Sequence, residues 1–257
     1  MSEIIVSIRD LVKSYGTQRV LHGVSFDLYR GKTNVIIGPS GSGKSVLMRQ
    51  LIRLEEPDSG AILFDGQDIA KVEGRALSML RRRFGMVFQH SALFDFMNVF
   101  ENVAFPLREH TTLSRGEIRD RVEERLDSLG ILEAAKKMPA ELSGGMQRRV
   151  AVARALILET ELVVYDEPTT GLDPLTTQTV DELILEAAAK FGVTSVVISH
   201  DMASVFRIAD QITVLNFGHV EASAPPESLM EVVSDEVRSF ILASGIDPRS
   251  ITKIRKN

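Results

Sequence analysis

The sequence predicts an α/β fold, because short apolar runs alternate with helical patterns from residue 33 onward. Three of these runs, at residues 35–37, 162–165 and 193–198, have the near-continuous apolar character of strands buried on both faces of a parallel sheet. Between the first two runs, apolar residues from 118 to 129 recur at helical spacing with charged residues among them. We therefore expect a parallel sheet flanked by helices.

The first thirty residues follow a different pattern and predict an antiparallel β subdomain. Apolar and polar residues alternate at Ile4, Val6 and Ile8 and again over residues 24–28, with Gly16 available for a turn between the two strands. Such alternation is typical of a strand with one buried and one exposed face. We expect Ile4, Val6 and Ile8 to share the buried face.

Composition and charge exclude several classes of protein. The 257 residues contain 30 Lys and Arg against 35 Asp and Glu, for a net charge of −5, and no cysteine. Without cysteine there is no disulfide, zinc–thiolate site, iron–sulfur cluster or thiol nucleophile. The acidic balance argues against nucleic acid as a partner, and no apolar run reaches the ~18–20 residues of a membrane span. The basic side chains of residues 249–257 are interpreted as a solvated terminus.

A glycine-rich loop directly after the first buried strand gives the strongest functional signal. It matches the P-loop pattern in full, with Gly38, Pro39, Ser40, Gly41, Ser42, Gly43, Lys44 and Ser45. The glycines let successive backbone N–H groups point at phosphate oxygens, and the following helix adds its positive N-terminal dipole. We predict that Lys44 reaches the β- and γ-phosphates of a nucleotide and that the Ser45 hydroxyl binds Mg²⁺.

Acidic residues follow the second buried strand, and a histidine follows the third. Asp166 and Glu167 come directly after residues 162–165, and His200 follows residues 193–198. Because ligands of open α/β sheets gather at the carboxyl ends of strands, we expect these side chains beside the P-loop. We predict that Asp166 holds Mg²⁺ and that Glu167 acts as general base or orients the attacking water.

Residues 142–149, with the sequence LSGGMQRR, resemble the signature of the nucleotide-binding subunits of ABC transporters. Further motifs match that family in order. Tyr15 resembles the aromatic residue that stacks on adenine, and Gln89 the glutamine that links the metal and attacking water to the helical subdomain. Asp173, within residues 171–174, resembles the D-loop aspartate, and His200 the switch histidine that contacts the γ-phosphate.

The resemblance covers about residues 4–222 and implies a domain organisation. It implies a P-loop NTPase (RecA-like) core with an N-terminal antiparallel β subdomain and an inserted α-helical subdomain. The ATP-binding core and β subdomain are expected at residues 1–89 and 161–222, and the α-helical signature subdomain at 90–160. Residues 223–257 are expected to form a short C-terminal helical appendage and the basic tail.

The resemblance also implies that ATP and Mg²⁺ bind between two copies of the chain arranged head to tail. One copy would bind ATP through Tyr15, Gly38, Pro39, Ser40, Gly41, Ser42, Gly43, Lys44, Ser45 and Val46. The second copy would contribute Ser143, Gly144, Gly145 and Asp173. The implied catalytic residues are Glu167, His200, Gln89 and Lys44, and the implied Mg²⁺ ligands are Ser45, Gln89 and Asp166. Many relatives have a second hydroxyl residue where this chain has Val46, so a side-chain contact to the α-phosphate is lost while the backbone N–H remains.

The stretch after Gln89 indicates which kind of transporter is involved. In the family this stretch lines a groove for a coupling helix of the membrane subunit, and we expect the groove to be lined by Phe94, Phe96, Met97, Phe100 and Phe105. Residues 92–110 resemble the ATPases of Mla/Mce phospholipid-trafficking systems. This implies phospholipid transport between inner and outer membranes, driven by a peripheral subunit on the cytoplasmic face of the inner membrane. The implied partners are an integral-membrane permease and also Mce-domain and STAS-domain proteins.

Two alternatives remain open from the sequence. Some ATPases of small-solute importers, for compatible solutes or amino acids, share a methionine at the position of Met146, although they tend to carry extra C-terminal regulatory domains. A soluble ABC ATPase that acts on DNA or ribosomes would belong to a different class, and the acidic charge argues against it.

Overall fold

The computed structural model describes residues 3–158 and 160–245, so the predicted basic tail at 249–257 lies outside the described residues. The strands are β1 (Ile4–Tyr15), β2 (Gln18–Tyr29), β3 (Thr33–Ile37), β4 (Ser59–Phe64), β5 (Gln67–Asp68), β6 (Phe84–Val87), β7 (Leu162–Asp166), β8 (Thr194–Ile198), β9 (Gln211–Asn216) and β10 (His219–Ala224). The helices are α1 (Lys44–Leu51), α2 (Gly74–Arg82), α3 (Val99–His110), α4 (Arg115–Ser128), α5 (Gly144–Ala155), α6 (Pro174–Phe191), α7 (Met202–Ile208), α8 (Pro226–Val232) and α9 (Asp235–Ala243). Short 3₁₀ turns lie at Ile69–Lys71, Leu132–Ala134 and Pro139–Glu141.

The strands form two sheets, which confirms the predicted fold class. The larger sheet has the order β10-β9-β3-β8-β7-β6, in which β10 is antiparallel to β9 and the remaining strands are parallel. The smaller sheet has the order β2-β1-β4-β5 and is antiparallel throughout. The three predicted buried strands are confirmed as β3, β7 and β8.

The larger sheet separates two hydrophobic cores, because successive side chains of a strand point to opposite faces. Along β3, Val35 and Ile37 belong to one core and Ile36 to the other. The core that includes Val35 is formed with helices α3 to α7, and we call it the helix-side core. The core that includes Ile36 is formed with α1 and strands β1, β2 and β4, and we call it the sheet-side core. Burial on both faces explains why these strands read as continuous apolar runs.

The expected burial of Ile4 is wrong. Val6 and Ile8 are fully buried as predicted, but Ile4 is 43% exposed and Ile5 takes its place in the sheet-side core. The pairing of β1 with β2 shifts register between Ile4 and Val6, which moves one residue to the opposite face. Simple alternation cannot reveal such a bulge, since it depends on the partner strand.

Helices α3, α4 and α5 pack around the helix-side core within the stretch predicted to be helical. Helix α4 begins at a capping box, in which Ser114 Oγ accepts from the N–H of Glu117 and the Glu117 carboxylate accepts from the N–H of Ser114. It buries Ile118, Val122 and Leu126, which are spaced one turn apart. The limits proposed for the three regions of the chain stay a prediction.

The C-terminal helical pattern divides into two helices, α8 and α9. Helix α8 ends at Val232, and Ser234 then caps α9 by accepting from the N–H of Val237. No helix in the described ranges has the length and apolar character needed to cross a membrane.

Candidate functional site

The predicted site residues that follow strands of the larger sheet gather at one of its edges, because these strands are parallel neighbours. The P-loop follows β3, Asp166 ends β7, and His200 follows β8. Strand β8 pairs with both β3 and β7, so the three carboxyl ends lie side by side. Gln89 follows β6, the next strand beyond β7, and is half-buried at the same edge.

The P-loop fits closely between β2 and β9 and leaves no room for side chains at two glycines. A Cβ on Gly38 would lie 2.0 Å from the carbonyl oxygen of Leu215, and one on Gly43 would lie 2.7 Å from Leu21 Cδ2. Gly43 also has a φ of 102°, which favours glycine, and it is the N-cap of α1. Ser42 Oγ is buried in this loop without a hydrogen-bond partner among the described residues.

Lys44 lies folded across the loop. Its Nζ donates to the carbonyl oxygens of Gly38 at 2.8 Å and Pro39 at 3.0 Å. Partial burial lowers the pKa of Lys44, while the nearby charges of Glu167 and Asp166 act in the opposite direction. The ammonium group therefore lies close to the two acidic residues that follow β7.

Asp166 is a partly buried carboxylate whose ionised form is disfavoured by its surroundings. Burial raises its pKa above the usual range, and the adjacent negative charge of Glu167 raises it further. The charges of Arg49 and Lys44 oppose this shift without cancelling it. A bound cation at Asp166 would favour the ionised form, because opposite charge stabilises a buried carboxylate.

Glu167 is fixed from three directions. Its backbone N–H donates to the carbonyl of Ile198 at 2.9 Å, and its φ of 49° lies in the left-handed region that residues with side chains rarely adopt. Its Oε2 lies 2.8 Å from His200 Nδ1 and accepts from Thr170 Oγ1 at 3.0 Å. The carboxylate thus links the ends of β7 and β8.

The signature segment and the D-loop lie at helix N-termini on the surface. Ser143 caps α5 by accepting from the N–H of Met146 at 3.3 Å, and Asp173 caps α6 by accepting from the N–H groups of Leu175 and Thr176. Both caps are exposed, and within the described residues none of their hydrogen bonds reaches the P-loop. The contact of Ser143, Gly144, Gly145 and Asp173 with ATP bound to a second chain stays a prediction.

Tyr15 ends β1 and is 44% exposed. Its hydroxyl donates to the carboxylate of Glu55, which also forms ion pairs with Lys13 and Arg49. Its stacking on adenine stays a prediction, and the exposed ring is compatible with it.

The sequence did not single out three residues that connect the parts of the site. Thr170 holds Glu167, as described above. Arg148 Nε on α5 donates to the carbonyl of Pro168 at 3.3 Å, which joins the signature helix to the loop after Glu167. Arg154, at the other end of α5, donates to the carbonyls of Ser91 and Ala92 at 2.9 and 2.8 Å. For Arg154 a signal existed in the sequence, since it is a lone cation among small apolar residues.

A groove of about 430 Å³ lies beside Gln89, between β6, α3 and the C-terminal end of α5. Phe94 and Phe105 line it, with their ring centroids 5.0 Å apart. Of the other residues expected there, Phe96 is 76% exposed and Phe100 packs against the helix-side core. The aromatic stretch therefore supplies both the groove wall and part of the core.

Within the described residues, no group of three or more His, Asp or Glu side chains could by itself hold a metal ion. The candidate ligands Ser45, Gln89 and Asp166 offer a hydroxyl, an amide and a single carboxylate. All three present the oxygen donors that Mg²⁺ prefers, and one carboxylate is typical of a site that is completed by substrate phosphates. The donor set therefore fits Mg²⁺ held together with a nucleotide.

A P-loop that follows a parallel strand, with Asp166 and Glu167 at the end of a neighbouring strand, is typical of an enzyme that hydrolyses nucleotides. A family model described as "ABC transporter" matches residues 21–170. The chain belongs to this family and is an ABC-type ATPase.

Individual relatives indicate which ABC transporter ATPases this chain resembles. The chain is 42% identical to the "Intermembrane phospholipid transport system ATP-binding protein MlaF" of Escherichia coli (strain K12), over 92% of this chain and 88% of that protein. It is 38% identical to the "Probable ribonucleotide transport ATP-binding protein mkl" of Mycobacterium leprae (strain TN), over 95% of this chain and 71% of that protein. Among solved structures it resembles a dimer of the ATP-binding cassette MJ0796 bound to ADP and Pi, with a TM-score of 0.75, 32% identity, and coverage of 86% and 98% of the two chains.

Proposed function

We propose that this chain is the ATPase subunit of a transporter that moves phospholipid between the inner and outer membranes. The observation that carries this proposal is the 42% identity to MlaF, a protein named for intermembrane phospholipid transport, over nearly the full length of both chains. The mkl protein is named for ribonucleotide transport, but it is less similar and the chain spans less of it. The small-solute importer weighed from the sequence finds no support among these relatives.

In this proposal the P-loop binds the phosphates of ATP. The position of this glycine-rich loop at the N-terminus of α1 supports an anion site, because backbone N–H groups there can surround a phosphate. Lys44 would exchange its two carbonyl partners for phosphate oxygens, because a charged acceptor gives a stronger hydrogen bond. Tyr15 would stack on the adenine ring.

Glu167 would be the general base. Because Oε2 is held by His200 and Thr170, Oε1 would be available to accept a proton from the attacking water. His200 is exposed and hydrogen-bonds through Nδ1, so its Nε2 would be available to the γ-phosphate. Mg²⁺, held by Ser45, Gln89 and Asp166, would supply charge neutralisation at the phosphates.

Two copies of the chain would complete each site. The exposed positions of Ser143 and Asp173 support this arrangement, and the MJ0796 cassette of similar fold is dimeric. The groove beside Gln89 would receive a membrane permease at the cytoplasmic face of the inner membrane. Mce-domain and STAS-domain proteins are proposed as further partners of the same assembly.

The test is reconstitution of the chain with the permease that co-purifies with it. Proteoliposomes containing both should transfer fluorescent phospholipid to acceptor vesicles only with ATP and Mg²⁺, and the Glu167→Gln chain should not support transfer. Radiolabelled ribonucleotides, betaine and amino acids serve as competing cargoes. Uptake of one of these without phospholipid transfer would contradict the proposal.

A further inference from the structure

A pocket between α4 and α6 contains the partly buried guanidinium group of Arg125, which is not part of the proposed ATP site. The pocket has a volume of about 450 Å³ and lies between α4 and the C-terminal end of α6. Its lining residues are Arg121, Glu124, Arg125, Ser128, Ile157, Lys190 and Phe191. Three of them are cations and one is an anion, in a chain whose net charge is −5.

Arg125 is the central feature of this pocket. Its guanidinium lies over the ring of Phe191, with Cζ 4.0 Å from the ring centroid. Its Nη1 is buried and has no hydrogen-bond partner within the described residues. Burial lowers the pKa of Arg125, and the charge of Glu124 opposes that shift only in part. The positive charges of Arg125, Arg121 and Lys190 around the pocket favour a negatively charged ligand.

The neighbouring charges do not supply the missing acceptor. Arg121 precedes Arg125 by four residues, so two like charges lie on the same face of α4 and repel each other. Glu124 is adjacent in sequence to Arg125, and adjacent residues do not face each other on a helix. Lys190 approaches from α6, where its Nζ donates to the carbonyl of Ser128 at 2.6 Å and retains two further N–H groups.

We propose that the pocket between α4 and α6 binds the phosphate group of a small molecule through Arg125, Arg121 and Lys190. The excess of two positive charges over the single carboxylate matches a phosphate dianion. The volume exceeds that of a phosphate group alone and lies in the usual range for small-molecule sites, roughly 300–1,000 Å³. Ser128 Oγ donates to the carbonyl of Arg125, which fixes the end of α4 beside the bound group.

The pocket lies between two parts of the fold. Helix α4 belongs to the helical region that carries the signature, whereas α6 begins at Pro174 and follows the loop after Glu167. A ligand that contacts Arg125 on α4 and Lys190 on α6 bridges the two parts.

The experiment measures binding by calorimetry at constant ionic strength, with wild-type protein and three single variants. The probes are inorganic phosphate, glycerol 3-phosphate, and vesicles containing phosphatidic acid, which distinguish a free ion, a phosphorylated small molecule and a lipid headgroup. Arg125→Gln should weaken binding of the preferred probe at least about tenfold, since charged hydrogen bonds are lost. Arg119→Gln is the matched control, because Arg119 lies on the same helix, is 62% exposed and is outside the pocket.

Binding at the P-loop is common to all variants, so the comparison of Arg125→Gln with Arg119→Gln isolates the pocket. Lys190→Gln changes an exposed side chain and provides a second test if Arg125→Gln fails to fold. Lys190→Gln should also weaken binding of the preferred probe, by several-fold. Equal binding of every probe to the wild type, the folded pocket variants and the Arg119 control would overturn the proposal.

Discussion

At the scale of single residues, the candidate base is held by its neighbours and by a strained backbone. The left-handed conformation of Glu167 costs about 1–3 kcal/mol in a residue with a side chain. The hydrogen bonds of its backbone N–H to Ile198 and of its carboxylate to Thr170 and His200 offset this cost. The strain thus accompanies a carboxylate whose orientation is fixed before ATP binds, which reduces the reorganisation needed during the reaction.

The role of Thr170 can be tested against its neighbour. Thr170→Val keeps the shape of the side chain but removes the hydrogen bond to Glu167, so kcat should fall several-fold with little change in ATP affinity. Thr169→Val is the matched control, because Thr169 Oγ1 is buried without a hydrogen-bond partner among the described residues. Steady-state ATPase kinetics of both variants provide the measurement. An equal effect of the two substitutions would remove Thr170 from the positioning of Glu167.

Lys44 provides a second prediction for a single residue. Lys44→Ala removes the ammonium group that lies across the P-loop, so ATP binding or hydrolysis should fall by at least about tenfold. Fluorescent nucleotide titration and phosphate release separate the two effects. Lys136→Ala, at an exposed position outside the loop, should retain wild-type values. Unchanged kinetics in Lys44→Ala would contradict the P-loop assignment.

At the scale of elements, α5 connects the proposed sites for ATP and for the membrane subunit. Its first residues form the signature, and its last turn carries Arg154, which lines the groove. Arg154 holds the carbonyls of Ser91 and Ala92, both of which have left-handed φ values, of 61° and 44°. One helix thus fixes the backbone that follows Gln89.

Arg154→Met should release this backbone. The substitution preserves much of the aliphatic packing but removes the hydrogen bonds to the carbonyls of Ser91 and Ala92 and a longer one to Asn102 Oδ1. The free energy of unfolding should therefore fall by about 3 kcal/mol. Urea denaturation measures this change. Arg119→Met removes an exposed arginine on α4 and should stay within about 0.5 kcal/mol of the wild type. A similar small effect in Arg154→Met would show that the loop after Gln89 keeps its conformation by other contacts.

Helices α6 and α7 are joined by a buried carboxylate that makes stability depend on pH. Asp181 is fully buried and accepts from Ser204 Oγ and Arg207 Nη1. Burial raises its pKa to about 6, the charge of Asp201 adds to this rise, and Ser204 and Arg207 act against it. Between about pH 4 and pH 6 the folded chain therefore binds a proton at Asp181 that the unfolded chain does not.

It follows that the contribution of Asp181 to stability falls as the pH rises through this window. The free energy of unfolding of the wild type should fall from pH 4 to pH 7 relative to that of Asp181→Asn, by on the order of 3 kcal/mol. Urea midpoints at several pH values measure the difference. Asp235→Asn, which changes an exposed carboxylate on α9, should run parallel to the wild type. A constant difference between the wild type and Asp181→Asn would place the pKa of Asp181 near its ordinary value.

The sequence predicts elements best where the constraint is local. The loop after β3, the buried strands β3, β7 and β8 and the helical pattern of α4 depend on glycines, apolar runs and spacing, and the structure confirms these elements. The bulge after Ile4 was not predictable, because it depends on pairing with β2. The bonds of Arg154 to Ser91 and of Arg148 to Pro168 join residues far apart in the chain, so only the folded structure reveals them.

At the scale of the whole molecule, each proposed ATP site combines groups from two chains. Glu167→Gln should keep ATP bound while stopping hydrolysis, because it removes the proposed base without removing the P-loop. With ATP and Mg²⁺ the variant should therefore elute as a dimer in size-exclusion chromatography with light scattering. In the same variant, Ser143→Arg should abolish that dimer, since it places a bulky cation at the exposed signature cap. A monomer for Glu167→Gln at saturating ATP would contradict the shared site.

The larger sheet has a separate hydrophobic core on each face, so packing mutations on its two faces should be suppressed by changes in different elements. Selection for suppressors of a packing mutation at Val163 should recover compensating changes among α3 to α7, on the helix-side core. A mutation at Val164, the next residue of the same strand, should instead be rescued from α1 or the antiparallel strands. Mutations at two adjacent residues of one strand would then have two separate sets of second-site suppressors. These sets would show which face of the sheet each residue occupies.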